Sequence, residues 1–313
     1  MPQPGTRPTV LRILGVLAIV ALALFWQSAW RDLDRTVLTR VPILDEAYYL
    51  REAADISGGR VLPDDPFIMS PLYPYLVAAA GSGREIGPDQ LRVGQPPLGI
   101  RVLQAGLWLG TAILLWRVAR RTVPARFAWL APVLWLFYRP GAVFVTSVLL
   151  EVPLSFLTVA SLAVATGGTP TRRRALAAGA LAALAALLRF HAVLLIVPVV
   201  LALTGDFVGR RPWRRAVPAV LAMALLVMPV TLFNSARAGR LVGPSLNGGI
   251  NLYIGNGPEA EGFYMSYRGF DPARDPTGRA FLSDRLGVDV IDAAAADRAW
   301  ASRARAAIVE DPV

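Results

Sequence analysis

Three groups of residues in this 313-residue chain have types and spacing that support chemistry. The first is the acidic pair Asp45-Glu46, which opens the helical stretch ILDEAYYLREAADI at 43–56. Ile43, Ala47, Leu50 and Ala54 share one face of that helix, and Asp45, Tyr48, Glu52 and Asp55 share another. A carboxylate held there could act as a general base toward an acceptor hydroxyl. The bland alternative is the solvated acidic face of a helix lying in a membrane interface. The second is Glu151, the one acid in a long apolar block. A carboxylate at mid-bilayer costs at least ~2.5–3.5 kcal/mol, so it belongs near the outer end of its span, facing the bundle interior. Its alternative is a packing ion pair with Arg139 or Arg189. The third is Arg189 with His191. A guanidinium bonds two phosphate oxygens at once. The imidazole could bind a metal, bond a phosphate or cap a helix break. With a single histidine in the chain, a divalent ion at His191 or Glu151 would need carboxylates or substrate oxygens as further ligands.

Two further segments carry strong local signals. In 69–80 (MSPLYPYLVAAA), Pro71 and Pro74 predict that no regular helix starts before Tyr75. Tyr73 and Tyr75 are expected to anchor that segment at a membrane surface. In 246–264 (LNGGINLYIGNGPEAEGFY), the Asn-Gly and Gly-Asn-Gly-Pro elements predict turns with positive φ, so that Asn251, Tyr253 and Asn256 project from a compact surface loop. The glycine spacing fits neither a dinucleotide loop nor a P-loop, and no serine elbow is present. The absence of cysteine excludes disulfides, thiolate metal sites and Cys nucleophiles.

The elements that must position these groups are set by the solvent. Hydrophobic residues make up 55% of the chain and charged residues 17%, with mean hydropathy +0.48; soluble domains average roughly 45–50% and about 25%. Apolar blocks at 13–30, 102–116, 127–138, 140–170, 175–188, 192–204 and 216–236 predict an all-α integral membrane bundle with about seven transmembrane helices. All the basic residues are arginine. They cluster in the connections holding Arg117, Arg120, Arg121 and Arg126, then Arg172, Arg173 and Arg174, then Arg210, Arg211, Arg214 and Arg215. Arginine-rich connections face the cytoplasm, so the net charge of +10 reads as topology and not as a nucleic-acid signal. That topology places the loop 31–97, with ten of the 22 acids, and the segment 237–313 on the extracytoplasmic face of a bacterial inner membrane. The first block exceeds the usual 7–15 apolar residues of a signal peptide and lacks a clean cleavage site, so it is expected to be retained. The stretch 175–204 is about 45 Å as a helix, too short for two full crossings. It is either one strongly tilted helix, which would put the Arg210–Arg215 cluster outside against the positive-inside rule, or a hairpin; the hairpin is expected, with Arg189 and His191 at a recessed tip lining a watery cavity.

Taken in order, Asp45-Glu46 and Tyr48-Tyr49, Ser70-Pro71-Leu72-Tyr73-Pro74-Tyr75, Glu151, the Leu188-Arg189-Phe190-His191 break and the run from Asn247-Gly248-Gly249-Ile250-Asn251 to Gly255-Asn256 resemble the GT-C glycosyltransferases. The nearest branch is the bacterial one related to protein O-mannosyltransferases, lipid A aminoarabinose transferases and lipopolysaccharide galacturonosyl transferases. The resemblance implies a GT-C-type bundle at 1–236 with an outer first loop carrying an amphipathic helix. The segment 237–313 would begin a truncated C-terminal part. It implies inverting transfer of a sugar from a polyprenyl-phosphate donor to a lipid, glycan or protein acceptor. Asp45, Glu46 and Glu151 would be the catalytic acids, and Arg189, His191, Tyr73, Asn247, Asn251 and Asn256 would bind substrate. A lipid-linked-sugar flippase and a non-catalytic binding subunit are the alternatives. A flippase of the usual kind would show a second helix break mirroring the first, and the sequence shows none.

Overall fold

The computed structural model describes residues 6–34, 45–81, 97–205, 212–258, 260, 270, 275–290 and 292–310. Described residues form thirteen α-helices and no strand. In chain order they are α1 (Thr6–Asp34), α2 (Glu46–Ser57), α3 (Leu72–Ala79), α4 (Leu98–Thr122), α5 (Leu130–Leu136), α6 (Gly141–Thr146), α7 (Glu151–Ala165), α8 (Arg172–Leu188), α9 (Ile196–Thr204), α10 (Val217–Ala238), α11 (Gly248–Asn256), α12 (Arg279–Leu286) and α13 (Ala293–Glu310).

Prolines set many of the starts. Pro74, Pro132, Pro153 and Pro198 each occupy the third position of a helix, and Pro218 the second. The first four N–H groups of a helix have no intrahelical acceptor, so a residue without an N–H costs nothing there. This corrects the expectation for 69–80: the helix begins at Leu72 and carries Pro74 in its first turn. It also corrects 140–170, which is two helices and not one span. The chain leaves helix at Ser147, and Glu151 is the first residue of α7. The break is satisfied by side chains from elsewhere. Gln104 Nε2 donates to the carbonyls of Phe144, Val145 and Ser147, and Val148 N donates to Glu46 Oε1.

Of the seven expected spans, α4 and α10 are long and apolar enough to cross a membrane by length and composition. Both leave broad apolar faces uncovered, including Val102, Leu109 and Ile113 on α4 and Leu221, Leu225 and Leu232 on α10. Helices α7 and α9 are shorter apolar elements. Beyond Leu188 the backbone is extended at Arg189, turns through a 3-10 segment Phe190–Leu195 and continues as α9. The return limb runs back along α8. Val193 and Ile196 pack near Ala182, Ala183 and Ala186, and Val199 and Leu203 near Ala175 and Ala178. That is the expected hairpin. Its outgoing limb is about 25 Å long at 1.5 Å per residue, less than the ~30 Å hydrocarbon core.

Small residues let α8 approach α10. A β-carbon on Gly179 would collide with the Ala219 carbonyl oxygen, a contact only glycine permits. Gly179→Ala should therefore push the two helices apart and cost about 1–3 kcal/mol. A lowered thermal midpoint of the purified protein would show it, and an unchanged midpoint would refute the close crossing.

The boundary expected at 236 falls inside the last turn of α10. Helices α11, α12 and α13 build a core of their own around Ile250, Tyr253, Leu282 and Trp300. Ala293, Ala294 and Leu246 join the main core beside Tyr49, Tyr73 and Leu188.

Candidate active site

Four helix ends meet around one cavity of about 540 Å³. Asp45 precedes the first residue of α2, its side chain making no capping hydrogen bond, and Tyr49 follows one turn later. Arg189 is the residue on which α8 ends, and Phe190 and His191 open the 3-10 turn. Asn247 immediately precedes α11, with Asn251 one turn in. All of these residues line the cavity, together with Ser70 and Ser245.

Glu151, at the start of α7, stands beside the lining: its Oε1 accepts from Arg189 Nη1 at 3.4 Å. Oε2 of Glu151 is buried and takes no hydrogen bond among the described residues. Asp45 and Glu151 both lie within electrostatic reach of Arg189. Of the two partners expected for Glu151, Arg189 is therefore the one it meets; Arg139 pairs with Asp32.

The other sequence-predicted site residues lie elsewhere. Glu46 is 3% exposed and turns inward to hold Val148 N, so adjacent carboxylates on α2 serve two different places. Tyr73 is fully buried, its hydroxyl donating to Gln104 Oε1 at 2.7 Å and its ring meeting Tyr49 edge-on at 4.8 Å. It is a core residue and not a surface anchor. Tyr75 donates to the Val61 carbonyl. Asn256 Nδ2 donates back to Leu252 O on its own helix.

The loop expected at 246–264 is in fact α11 over its first half, and none of Gly248, Gly249, Gly255 or Gly257 has positive φ. Glycine serves there for proximity: a β-carbon on Gly249 would collide with the Asp297 carbonyl oxygen. Asp297 Oδ1 accepts from Gly249 N at 2.6 Å, and Oδ2 pairs with Arg240. A carboxylate at a helix N-terminus is favourable, so Asp297 helps hold the α11 wall in place. Sequence reasoning misses it, because a lone acid in an alanine-rich helix carries no signal.

Ser245 is missed as well. Its segment is fixed by Asn234, fully buried on α10, which accepts from Phe67 N and donates to Gly243 O. Leu246 N donates to Ile68 O alongside. Two stretches far apart in sequence are thereby joined under the cavity.

No protein-family model, curated protein or solved structure matches this chain.

The site geometry juxtaposes a carboxylate and a guanidinium on the wall of one cavity whose lining mixes polar and apolar side chains. Burial raises the Asp45 carboxyl above its ordinary range, with the Arg189 charge pulling the other way. The Tyr49 hydroxyl is pushed up by burial and by Asp45, and stays a donor. A group with a raised folded value favours the protonated state, so ionised Asp45 weakens the fold at neutral pH, and the penalty is relieved as pH falls through that value. A base must be ionised. Activity that needs Asp45 should thus fall away on the acid side above the ~3.9 of a free aspartate, seen as the acid limb of kcat/KM against pH. A limb at or below that value would refute the assignment.

Among the described residues no three His, Asp or Glu side chains are grouped as a metal ion requires. His191 has no such partners, and Glu151 Oε1 is engaged with Arg189.

Proposed function

We propose that the protein is a membrane-embedded, inverting glycosyltransferase of the GT-C kind, moving a sugar from a polyprenyl-phosphate donor to an acceptor hydroxyl at the extracytoplasmic face. The observation that carries this reading is the meeting of Asp45 and Arg189 on the wall of one cavity, from α2 and α8, with Glu151 at the start of α7 paired to Arg189 beside it. Supporting it, the arginine-rich connections lie at the opposite end of the bundle. Helix α7 runs from Glu151 at the cavity toward Ala165, which packs on Ala175 of α8, while α8 runs back from Arg172 to Leu188 at the cavity. Arginine inside and cavity outside is the arrangement that the positive-inside rule favours.

The chemistry needs one base and one cation. Asp45 takes the proton of the acceptor hydroxyl as its oxygen attacks the anomeric carbon. The bond from that carbon to the phosphate oxygen breaks on the opposite face, inverting the centre. The electron pair leaves on the lipid phosphate, and Arg189 stabilises the added negative charge. Phosphate in this role departs without being protonated. Glu151 holds the guanidinium in its working orientation, and His191, Asn247 and Asn251 supply polar contacts for donor or acceptor.

The test is transfer of radiolabelled sugar from a panel of polyprenyl-phosphate donors in membranes containing the chain. Asp45→Asn and Glu151→Gln are compared with the native protein, with and without a chelator. Transfer lost in both variants supports the reading, and chelator sensitivity decides whether a divalent ion joins Arg189. Movement of intact donor across vesicles without covalent transfer would replace it with the flippase reading.

A further inference from the structure

The end of the bundle away from the cavity carries a second constellation. Arg117, Arg120 and Arg121 close α4, and Arg126 follows it. Arg172, Arg173 and Arg174 open α8. Arg214 and Arg215 precede α10. Three stretches separated in sequence meet here, because Ala219 near the start of α10 packs on Gly179 and Ala175 of α8, and Arg121 and Arg174 both converge on Gly167 after α7.

That last meeting is the most informative. Arg174 Nη2 donates to Val164 O at 2.6 Å and Nη1 to Thr169 O at 2.8 Å, which fixes its guanidinium over the end of α7. Nη2 of Arg174 and Nη1 of Arg121 lie 2.5 Å and 3.1 Å from where a β-carbon on Gly167 would stand. Two like charges are thus held side by side. Among the described residues no carboxylate pairs with any arginine of this end. Exposed aromatic rings border the group, Trp116, Phe127, Trp129 and Trp213, and Arg120, Arg126 and Arg214 lie over the neighbouring Trp116, Phe127 and Trp213. Amphipathic rings at this level suit a headgroup layer, and juxtamembrane arginines attract anionic lipid.

We infer that Arg121 and Arg174, backed by the surrounding arginines, bind the phosphodiester headgroup of an anionic phospholipid at the bundle end opposite the cavity. The inference rests on the membrane reading above but not on sugar transfer. Guanidinium suits this ligand because its fork matches two phosphate oxygens, and the bound phosphodiester supplies the counter-charge that no carboxylate among the described residues gives the two guanidinium groups converging on Gly167. Gly167 leaves room for the approach.

The experiment has two stages on the full chain. Alkaline carbonate washing of membranes first asks whether the chain is inserted; extraction would overturn the membrane reading and this inference together. The inserted protein is then placed in nanodiscs of mixed phosphatidylglycerol and phosphatidylcholine, delipidated stepwise, and its retained lipids are weighed by native mass spectrometry. Preferential retention of phosphatidylglycerol is expected, falling roughly fivefold in Arg121→Gln, the loss of one arginine near an anionic surface. Arg121→Lys keeps the charge but not the fork and should recover part of the preference, so a folding defect is separable from a charge effect. Arg305→Gln, on α13, should change nothing. Equal retention of both lipids by inserted native protein, or an Arg121→Gln profile identical to the native one, overturns the inference alone. Displacement of bound lipid by a short duplex oligonucleotide would also overturn it, in favour of a nucleic-acid surface.

Discussion

Asp45→Asn is expected to lower sugar transfer by about 10²–10⁴-fold in kcat, the range for loss of a positioned general base. The amide keeps the size of the side chain and its place at the start of α2, but it cannot take the hydroxyl proton. Because burial already disfavours the ionised carboxyl, the amide should leave the thermal midpoint unchanged or raise it. Loss of turnover without loss of fold is the signature to seek. Glu46→Gln is the matched control one residue away. Its carboxylate receives Val148 N at the break before α7, and an amide oxygen can do the same, so transfer should largely survive. If Asp45→Asn turns over at the native rate, the base assignment fails. If both variants fail alike, the pair acts as one unit and the division of labour between them is refuted.

Arg189→Ala should have the second largest effect, roughly 10²–10³-fold in kcat, the cost of removing one group that stabilises developing charge. Two consequences combine. The leaving phosphate loses its cation, and Glu151 loses its partner at 3.4 Å while its other oxygen is already buried and unpaired. Arg189→Lys separates them. It restores a charge near Glu151 without the planar fork, so it should recover fold stability more fully than turnover. Single-turnover kinetics with saturating donor would locate the loss in the chemical step. A defect confined to KM would show instead that Arg189 only binds the donor.

Parts of this site are legible in the residues themselves. Asp45 announces itself as one of two acids at the head of an amphipathic stretch, and Glu151 as a charge in an apolar block. The break at Arg189 follows from length alone: too few residues for two crossings, and a charged residue in the middle. The hairpin that runs from Ala175 to the cavity at Leu188 and back to Leu203 needs no more than that arithmetic.

Other features mislead a linear reading for definite reasons. Proline suggests a barrier to helix at 69–80, although at a helix's third position its missing N–H is harmless. Pro153 likewise sits harmlessly in the first turn of α7, and the break that splits the apparent single span lies before it, at 147–150. Glycines at 248–257 suggest turns because positive φ is their commonest reason, whereas Gly249 is needed for the near contact with Asp297. Tyr73 looks like an interfacial anchor, and Gln104 reclaims it for the core.

What the sequence alone determined is the apolar character of the chain, its helical class, the connections in which arginine gathers and the identity of an aspartate, a glutamate and a guanidinium with chemistry to offer. These depend on residue type and on local periodicity, which a linear reading preserves. Only the tertiary structure decided which of two adjacent acids faces the cavity, that Arg189 and not Arg139 meets Glu151, that Asn251 lines the cavity and Asn256 does not, and that Asp297 and Asn234 brace it. Each of those outcomes turns on which way a side chain points after elements far apart in sequence have packed, and a helix turns by about 100° per residue. A shift of one position is enough to send Glu46 into the core and leave Asp45 at the cavity.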